Sequence, residues 1–379
     1  MNSDHTAAAL AQTHETLATS LRVFLGQACP ESLSRALRRC EALELLQEHA
    51  EREGLSGILR LTWPKNAPTP PPLLDQRRLE IFAHNGRVRE TLRVLGEAFR
   101  QAGIEVIVVK GAALLTGPYR QRLGCRPLSD IDLLVRERQL EDLETTLERL
   151  GWRRYLTRWR GDGLELDLHT HLERSALLGH RHAAFRFPSE TLWRQSQPSP
   201  VGGPALRLLD PATQAAYLAT HAVKHAFGRW IWLVDLCLVL PGVTQPDLER
   251  ALGEARAERA WVYVRELQRV LGLSSSVRLE SEPKLSLIER TWLSLVAKRR
   301  QSMGLGRVVA GLSIPTLSER LAYWREVAWP AEESLDRATP ATLPATPAPR
   351  SLWLSRSLAP RAAQALKLMA AALRTAASP

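Results

Sequence analysis

The sequence predicts an α/β (α+β) fold, with a mixed sheet core flanked by N-terminal and C-terminal helical regions. Three observations support this prediction. Ile104 to Val109 is a β-branched run of the kind found in buried strands. Asp130 to Val135 and Leu164 to Leu172 alternate with the period of two that strands show, and helical patterns separate these segments. The resulting order of helices and strands indicates a core of roughly 90 residues.

The first part of the chain, residues 1–75, is expected to be a helical region, because leucines recur in it at helical spacing. Its end, at 62–75, has five prolines in eleven positions, which no helix tolerates. A long helix is expected over 76–102, with Gly103 as its stop. The apolar residues expected on the inner face of that helix are Leu79, Phe82, Leu92, Leu95 and Phe99.

The predicted core covers residues 76–205. After the first strand, Lys110 and Gly111 mark the strand end and begin a short helix that runs to Tyr119. The second strand is followed by an amphipathic helix that Gly151 closes.

Two further strands complete the predicted core. Trp152 to Arg160 is expected as one strand, and the turn Gly161-Asp162-Gly163 leads into the next strand, LELDLHTHL at 164–172. Because side chains alternate along a strand, its polar residues share one face. These residues are Glu165, Asp167, His169 and His171.

The rest of the chain is expected to be helical over residues 206–335, where Asp210 followed by proline is a helix N-cap signal. The final segment, 336–379, is rich in proline and alanine, and we expect a linker followed by a basic tail helix.

The composition limits the kinds of function that the chain can have. The net charge of +11 is nearly all arginine, with only six lysines. It suggests phosphate-bearing partners, but a coding bias toward arginine explains it as well, so nucleic-acid binding is only weakly supported. No run approaches the roughly 18 apolar residues of a membrane span, and no secretory signal is apparent. Four dispersed cysteines without metal-ligand spacing fit a reducing cytoplasm.

Two acids stand out in the second strand. Asp130 and Asp132 are two residues apart, so they project from the same face, and burying both without a cation would be costly. With Asp167 on a neighbouring strand, they suit a site in which Mg²⁺ (or Mn²⁺) assists phosphoryl transfer. The competing interpretation is an acidic strand edge exposed to solvent.

Lys110-Gly111 is a second candidate feature. It follows a buried strand and begins a helix, where backbone N–H groups can face an anion and the lysine adds a positive charge. The competing interpretation is an ordinary strand-to-helix turn.

Together these features resemble the nucleotidyltransferase superfamily that shares its catalytic core with DNA polymerase β. The closer likeness is to an uncharacterised bacterial branch whose signature begins with Lys-Gly. The matching segments are VIVVKGAALLTGPYRQRLGCRPLSDIDLLV, LELDLHTHL and HAVKHAFGRWIWLVDL, within about residues 76–240. The serine that usually follows the glycine of the superfamily turn is replaced by Ala112.

The resemblance implies that Asp130, Asp132 and Asp167 are catalytic residues and metal ligands. It also implies a nucleotide-binding set, which consists of Lys110, Gly111, Arg126 and Ser129. Further residues are candidates for the substrate cleft, either from the resemblance or because they lie on the helix expected to close it. These are Tyr119, Arg120, His169, His221, Lys224, His225, Arg229 and Asp235.

The sequence therefore predicts a Mg²⁺-dependent nucleotidyltransferase that moves a nucleoside monophosphate from an NTP such as ATP to a hydroxyl-bearing acceptor. The acceptor is left open among small molecules, peptides, proteins and RNA. The alternative is a catalytically weak or inactive protein of the same fold that binds a nucleotide or partner as a regulator, because the turn lacks the usual serine.

Overall fold

The computed structural model describes residues 3–155, 158–172, 184–274, 277–297, 311, 314 and 316–328. The predicted linker and tail helix at 336–379 lie outside the described residues.

The N-terminal region is helical, as the sequence predicts. Its four helices are α1 Ser3–Phe24, α2 Pro30–Arg39, α3 Leu43–Arg52 and α4 Ser56–Thr62. Helix α1 packs against the other three, and the leucines at helical spacing form the core between them. The proline-rich stretch separates this bundle from the long helix α5, Pro72–Gln101.

Helix α5 buries only part of its predicted inner face. Leu92, Leu95 and Phe99 are buried as expected, but Leu79 is 64% exposed and Phe82 is 55% exposed. The prediction was wrong for these two residues. Val88 is also buried, and at about 100° per residue Leu79 lies on the opposite side of the helix from it.

A mixed seven-stranded sheet forms the centre of the molecule and confirms the predicted fold class. Its strands are β1 Val106–Val109, β2 Ile131–Val135, β3 Arg153–Tyr155, β4 Arg158–Gly161, β5 Leu164–His169, β6 Gln197–Pro198 and β7 Leu206–Leu208. The spatial order is β3-β4-β5-β2-β1-β7-β6. The β2–β5 and β1–β7 pairs are parallel, and the other pairs are antiparallel.

The sheet differs from the sequence prediction at both ends. The strand expected over 152–160 is two strands, β3 and β4, paired antiparallel. A period-two pattern is the same in either chain direction, so it does not reveal the reversal. At the other end, β7 extends the sheet three residues beyond the core boundary predicted at 205.

Helices surround this sheet. They are α6 Lys110–Thr116, α7 Leu140–Arg149, α8 Ser189–Gln195, α9 Pro211–Lys224, α10 Ile231–Val239, α11 Gln245–Ala255, α12 Glu258–Val270, α13 Leu287–Ala297 and α14 Leu317–Ala328. Two 3₁₀ helices, Leu123–Cys125 and Glu137–Gln139, flank β2. In the described ranges, no helix combines the length and apolarity that crossing a bilayer requires.

Each face of the sheet packs against a different set of helices. One face contributes alternate residues such as Val108 to the main core. The other contributes Val109 and Leu134 to a smaller apolar cluster with Trp193 of α8 and Tyr217 of α9. Asp132 lies two residues before Leu134 and so faces the side of the sheet that α9 covers.

A buried glutamate joins the N-terminal bundle to the C-terminal helices. Glu53, at the end of α3, is 2% exposed. Its carboxylate accepts a hydrogen bond from the backbone N–H of Trp230, 3.1 Å away, and its carbonyl accepts one from Ile231 N–H. These N–H groups lie at the start of α10, where a negative charge also interacts favourably with the helix dipole.

We predict that Glu53→Ala lowers the free energy of unfolding by about 1–3 kcal/mol, because it removes the buried carboxylate that accepts a hydrogen bond from the Trp230 N–H at the start of α10. Glu51→Ala is the matched control, since Glu51 is 44% exposed and pairs only at the surface with Arg77. We expect it to cost under about 1 kcal/mol. Urea unfolding of both variants measures the difference, and equal costs would contradict the capping role.

Candidate active site

The register between β2 and β5 brings together three side chains of the kinds that can bind a metal ion. Asp132 pairs directly with Asp167 across these parallel strands, and His169 follows two residues later on the same face. His169 Nε2 lies 2.9 Å from Asp132 Oδ1 and 3.6 Å from Asp167 Oδ2. One ligand atom from each residue lies within 4.8 Å of the others. Two oxygens and one nitrogen therefore converge at one point.

Asp132 is the most buried acid of this cluster, at 3% exposure. The ammonium of Lys110 donates a hydrogen bond to its Oδ1, which also lies near His169. Burial opposes ionisation of Asp132, but the charge of Lys110 and the hydrogen bond from His169 outweigh it and lower its pKa to about 2. Asp132 is thus a carboxylate at neutral pH.

Lys110 reaches Asp132 from an unusual backbone conformation. It is the first residue of α6, directly after β1, and its φ is +52°, in the left-handed region that favours glycine. A side chain in this region costs about 1–2 kcal/mol. Burial disfavours the ammonium, but Tyr217, Asp132 and Asp167 raise the pKa of Lys110 above its ordinary value. The turn accepts this strain and holds a charged lysine against the acids.

Asp130 has different partners. It precedes β2, and its carboxylate accepts a hydrogen bond from Ser129 Oγ at 2.8 Å. Its other oxygen lies 3.3 Å from the guanidinium of Arg158. Ser129 is exposed, whereas the Asp130 side chain is 20% exposed. Each of the two acids of the Asp-x-Asp pair therefore has its own basic partner.

Arg158 is a site residue that the sequence analysis missed. It lies on β4 directly opposite Asp167, and its guanidinium also pairs with Glu165 at 2.9 Å. The signal that locates it is the hairpin turn: Asp162 and Gly163 both have positive φ, as a type I′ turn requires. A two-residue loop there fixes the register and puts Arg158 across from Asp167.

Three of the residues that the resemblance selected contact each other in the core. The guanidinium of Arg126 donates to both oxygens of Asp235, at 3.1, 3.2 and 2.9 Å. The hydroxyl of Tyr119 donates to the same carboxylate at 2.9 Å. Burial and the charge of Asp235 raise the pKa of Tyr119 well above its ordinary value, so it stays a donor. This geometry favours a structural part for Arg126 rather than the phosphate contact expected from the sequence.

Gly111 packs closely against this network. A Cβ at this position would lie 2.2 Å from a guanidinium nitrogen of Arg126 and 2.3 Å from Leu128 Cδ1. The close approach that Gly111 permits is therefore to the buried arginine, and the strained residue of the Lys-Gly pair is the lysine. Helix α6 is seven residues long, and we assign no anion site to its N-terminus.

Helix α9, the helix expected to close the cleft, has Tyr217 and His221 within electrostatic reach of Lys110. His221 and His225, at the end of α9, form an aromatic group with Trp232, with ring centroids 4.6 to 5.4 Å apart. Burial, together with the positive charge of Lys110, lowers the pKa of His221 well below its ordinary value. Lys224 is half-buried beside them. His221 is therefore neutral near the acids at neutral pH.

The remaining candidates lie toward solvent. Arg120 and Arg229 are exposed on the surface. The cysteines are free, with Cys40 and Cys125 buried.

One comparison with known proteins gave a match. A family model described as an uncharacterised nucleotidyltransferase matches residues 39–272, which is more than half of the chain. No match was found among curated proteins or among solved structures. The matched region includes the whole sheet and helices α9 to α12.

We predict that Lys110→Gly is roughly 0.5–1 kcal/mol more stable than Lys110→Ala, because glycine relieves the left-handed strain that alanine keeps. Both variants lose the ammonium beside Asp132, so the difference between their free energies of unfolding reports the backbone strain alone.

The same pair of substitutions at Lys65, an exposed lysine with ordinary φ, is the control. There we expect the glycine variant to be the less stable one, because glycine has more freedom to lose on folding. Chemical denaturation measures all four variants, and the same order of stability at both positions would contradict the strain at Lys110.

Proposed function

We propose a reaction for this chain, which belongs to the uncharacterised nucleotidyltransferase family. It transfers a nucleoside monophosphate from an NTP such as ATP to a hydroxyl-bearing acceptor, with Mg²⁺ or Mn²⁺ bound at the acids. The observation that carries this proposal is the pairing of Asp132 with Asp167 on adjacent strands, with His169 beside them. Family membership supports nucleotidyl transfer in general, and the paired acids supply the chemistry.

The donor set fits a divalent cation. Carboxylate oxygens suit Mg²⁺ and Mn²⁺, and an imidazole nitrogen suits Mn²⁺ and other transition metals. Asp132 and Asp167 would hold the ion, with His169 next to both. Carboxylates opposite each other on neighbouring strands repel, so a cation between them lowers the electrostatic free energy of the folded chain.

In this proposal, individual residues of the chain have distinct roles in the reaction. A bound divalent cation neutralises phosphate charge and acidifies the acceptor hydroxyl. The Asp167 side chain is 25% exposed, against 4% for Asp132, so Asp167 is better placed to accept the hydroxyl proton. Lys110, with its side chain 18% exposed, would bind a phosphate oxygen as a point charge.

The proposal defines the acceptor by its chemical class, a compound with a free hydroxyl group. Small molecules, peptides, proteins and RNA all offer hydroxyl groups, and Lys224, His225 and Arg229 near the end of α9 are our candidates for contacts with the acceptor or nucleotide. Four free cysteines support a reducing compartment such as the cytoplasm for this activity.

A nucleotide-binding regulator with weak or no turnover is the second candidate. Two observations favour it: Ala112 replaces the usual serine, and Asp130 and Asp132 already have Arg158 and Lys110 as ion-pair partners. Retained NTP binding with no transfer to any acceptor class would select this candidate over the transferase.

We predict that Mg²⁺ together with one of the four NTPs raises the melting temperature of the protein. A ligand that binds only the folded state adds about 2.7 kcal/mol of stability at a concentration 100 times its Kd. The rise should disappear in Asp132→Asn/Asp167→Asn and on addition of EDTA. Differential scanning fluorimetry records the shift relative to each variant's own ligand-free value.

Asp142→Asn is the matched control, because Asp142 is an exposed aspartate on α7 whose side chain has no assigned part in the site. It should keep the full shift. A shift of equal size in the double variant, or none with any NTP in the unmodified protein, would contradict a nucleotide–metal site at these acids.

A further inference from the structure

We propose that Arg158 is an exchangeable counter-ion of the acidic site. When the cation and the NTP bind, its guanidinium moves away from Asp130 and binds the phosphates of the nucleotide. This inference rests on the proposed function and adds a triphosphate-binding residue to it. Arg158 would offset part of the negative charge of the site before the substrates arrive and bind the nucleotide afterwards.

The position of Arg158 follows from the β4–β5 register. Arg158 lies directly opposite Asp167, and its guanidinium is 3.3 Å from Asp130 and 2.9 Å from Glu165. Burial disfavours the charged guanidinium, but the hydrogen bond to Glu165 and the charges of Asp130 and Asp167 raise the pKa of Arg158 above its ordinary value. A single guanidinium therefore interacts with acids from the loop before β2 and from β5.

Arg158 is not needed to neutralise Glu165. Arg160, on the same strand, pairs with Glu165 at 2.7 Å. The side chain of Arg158 is 41% exposed, compared with 18% for Lys110, so it has room to change rotamer. When Arg158 leaves, Glu165 keeps its ion pair with Arg160, whereas Arg158 is the basic partner found for Asp130 among the described residues.

Charge balance gives the direction of the exchange. Arg158 lies directly opposite Asp167, so a divalent cation bound by Asp132 and Asp167 would repel the nearby guanidinium. A triphosphate brings several negative charges, and the planar guanidinium binds phosphate oxygens in a bidentate manner. Cation binding thus weakens the attraction between Arg158 and the carboxylates, and the bound triphosphate offers the guanidinium a more highly charged anion.

This exchange predicts effects of opposite sign from one substitution. In Arg158→Gln, Mn²⁺ should bind about 3-fold more tightly without nucleotide, because a competing positive charge is gone. The NTP should bind about 10-fold more weakly at saturating Mn²⁺, because a charge-assisted contact to phosphate is lost. A purely structural arginine would not shift the two affinities in opposite directions.

The experiment measures free Mn²⁺ by electron paramagnetic resonance in the absence of nucleotide, and binding of each NTP in turn by calorimetry at saturating Mn²⁺. Arg160→Gln is the matched control, because Arg160 shares Glu165 with Arg158 but has no contact with Asp130 among those found in the described residues. Both of its affinities should equal those of the unmodified protein. Arg158→Lys should restore part of the NTP affinity.

Three results would overturn the inference: unchanged affinities in Arg158→Gln, weaker binding of both Mn²⁺ and NTP, or tighter Mn²⁺ binding with unaltered NTP binding. A failure of the proposed function has a different signature, since the unmodified protein would then bind neither Mn²⁺ nor any NTP. In that case the inference falls with it.

Discussion

The constraint on which this site depends is the pairing of two aspartates across parallel strands. The β2–β5 register puts Asp132 directly beside Asp167, and Asp132 is almost completely buried. Like charges in this position repel, and a buried carboxylate without a partner is costly. The fold therefore supplies cations: Lys110 contacts Asp132, and Arg158 lies opposite Asp167. Lys110 brings its ammonium to this point from a left-handed backbone conformation.

A second, buried ion pair keeps that lysine in place. Gly111 packs directly on Arg126, and Arg126 is held by Asp235 of α10. Breaking a buried pair of this kind typically costs about 3–5 kcal/mol, because the remaining charge has no partner. The start of α10 is in turn capped by Glu53 from the N-terminal bundle. Both helical regions thus contribute to the geometry of the turn between β1 and α6.

Local pattern was enough to predict the strands that carry the acids, because period-two alternation assigns side chains to faces without knowledge of their neighbours. It does not reveal pairs that are distant in sequence. Arg126 and Asp235 are 109 positions apart, so the sequence places both among the site candidates, whereas in the structure they bind each other. The error at Leu79 was avoidable, because helical spacing alone puts Leu79 on the opposite side of α5 from Val88. The position of Arg158 could be predicted from the sequence, since a two-residue turn at Asp162-Gly163 fixes the register that places Arg158 opposite Asp167.

The central claim is that Asp132, Asp167 and His169 bind a divalent cation. Crystals of the protein grown with Mn²⁺ and an NTP would test it most directly, through the anomalous scattering of manganese. The account predicts a peak between these three side chains, with Lys110 moved away from Asp132. No peak there, with the Lys110–Asp132 ion pair intact at saturating Mn²⁺, would contradict it.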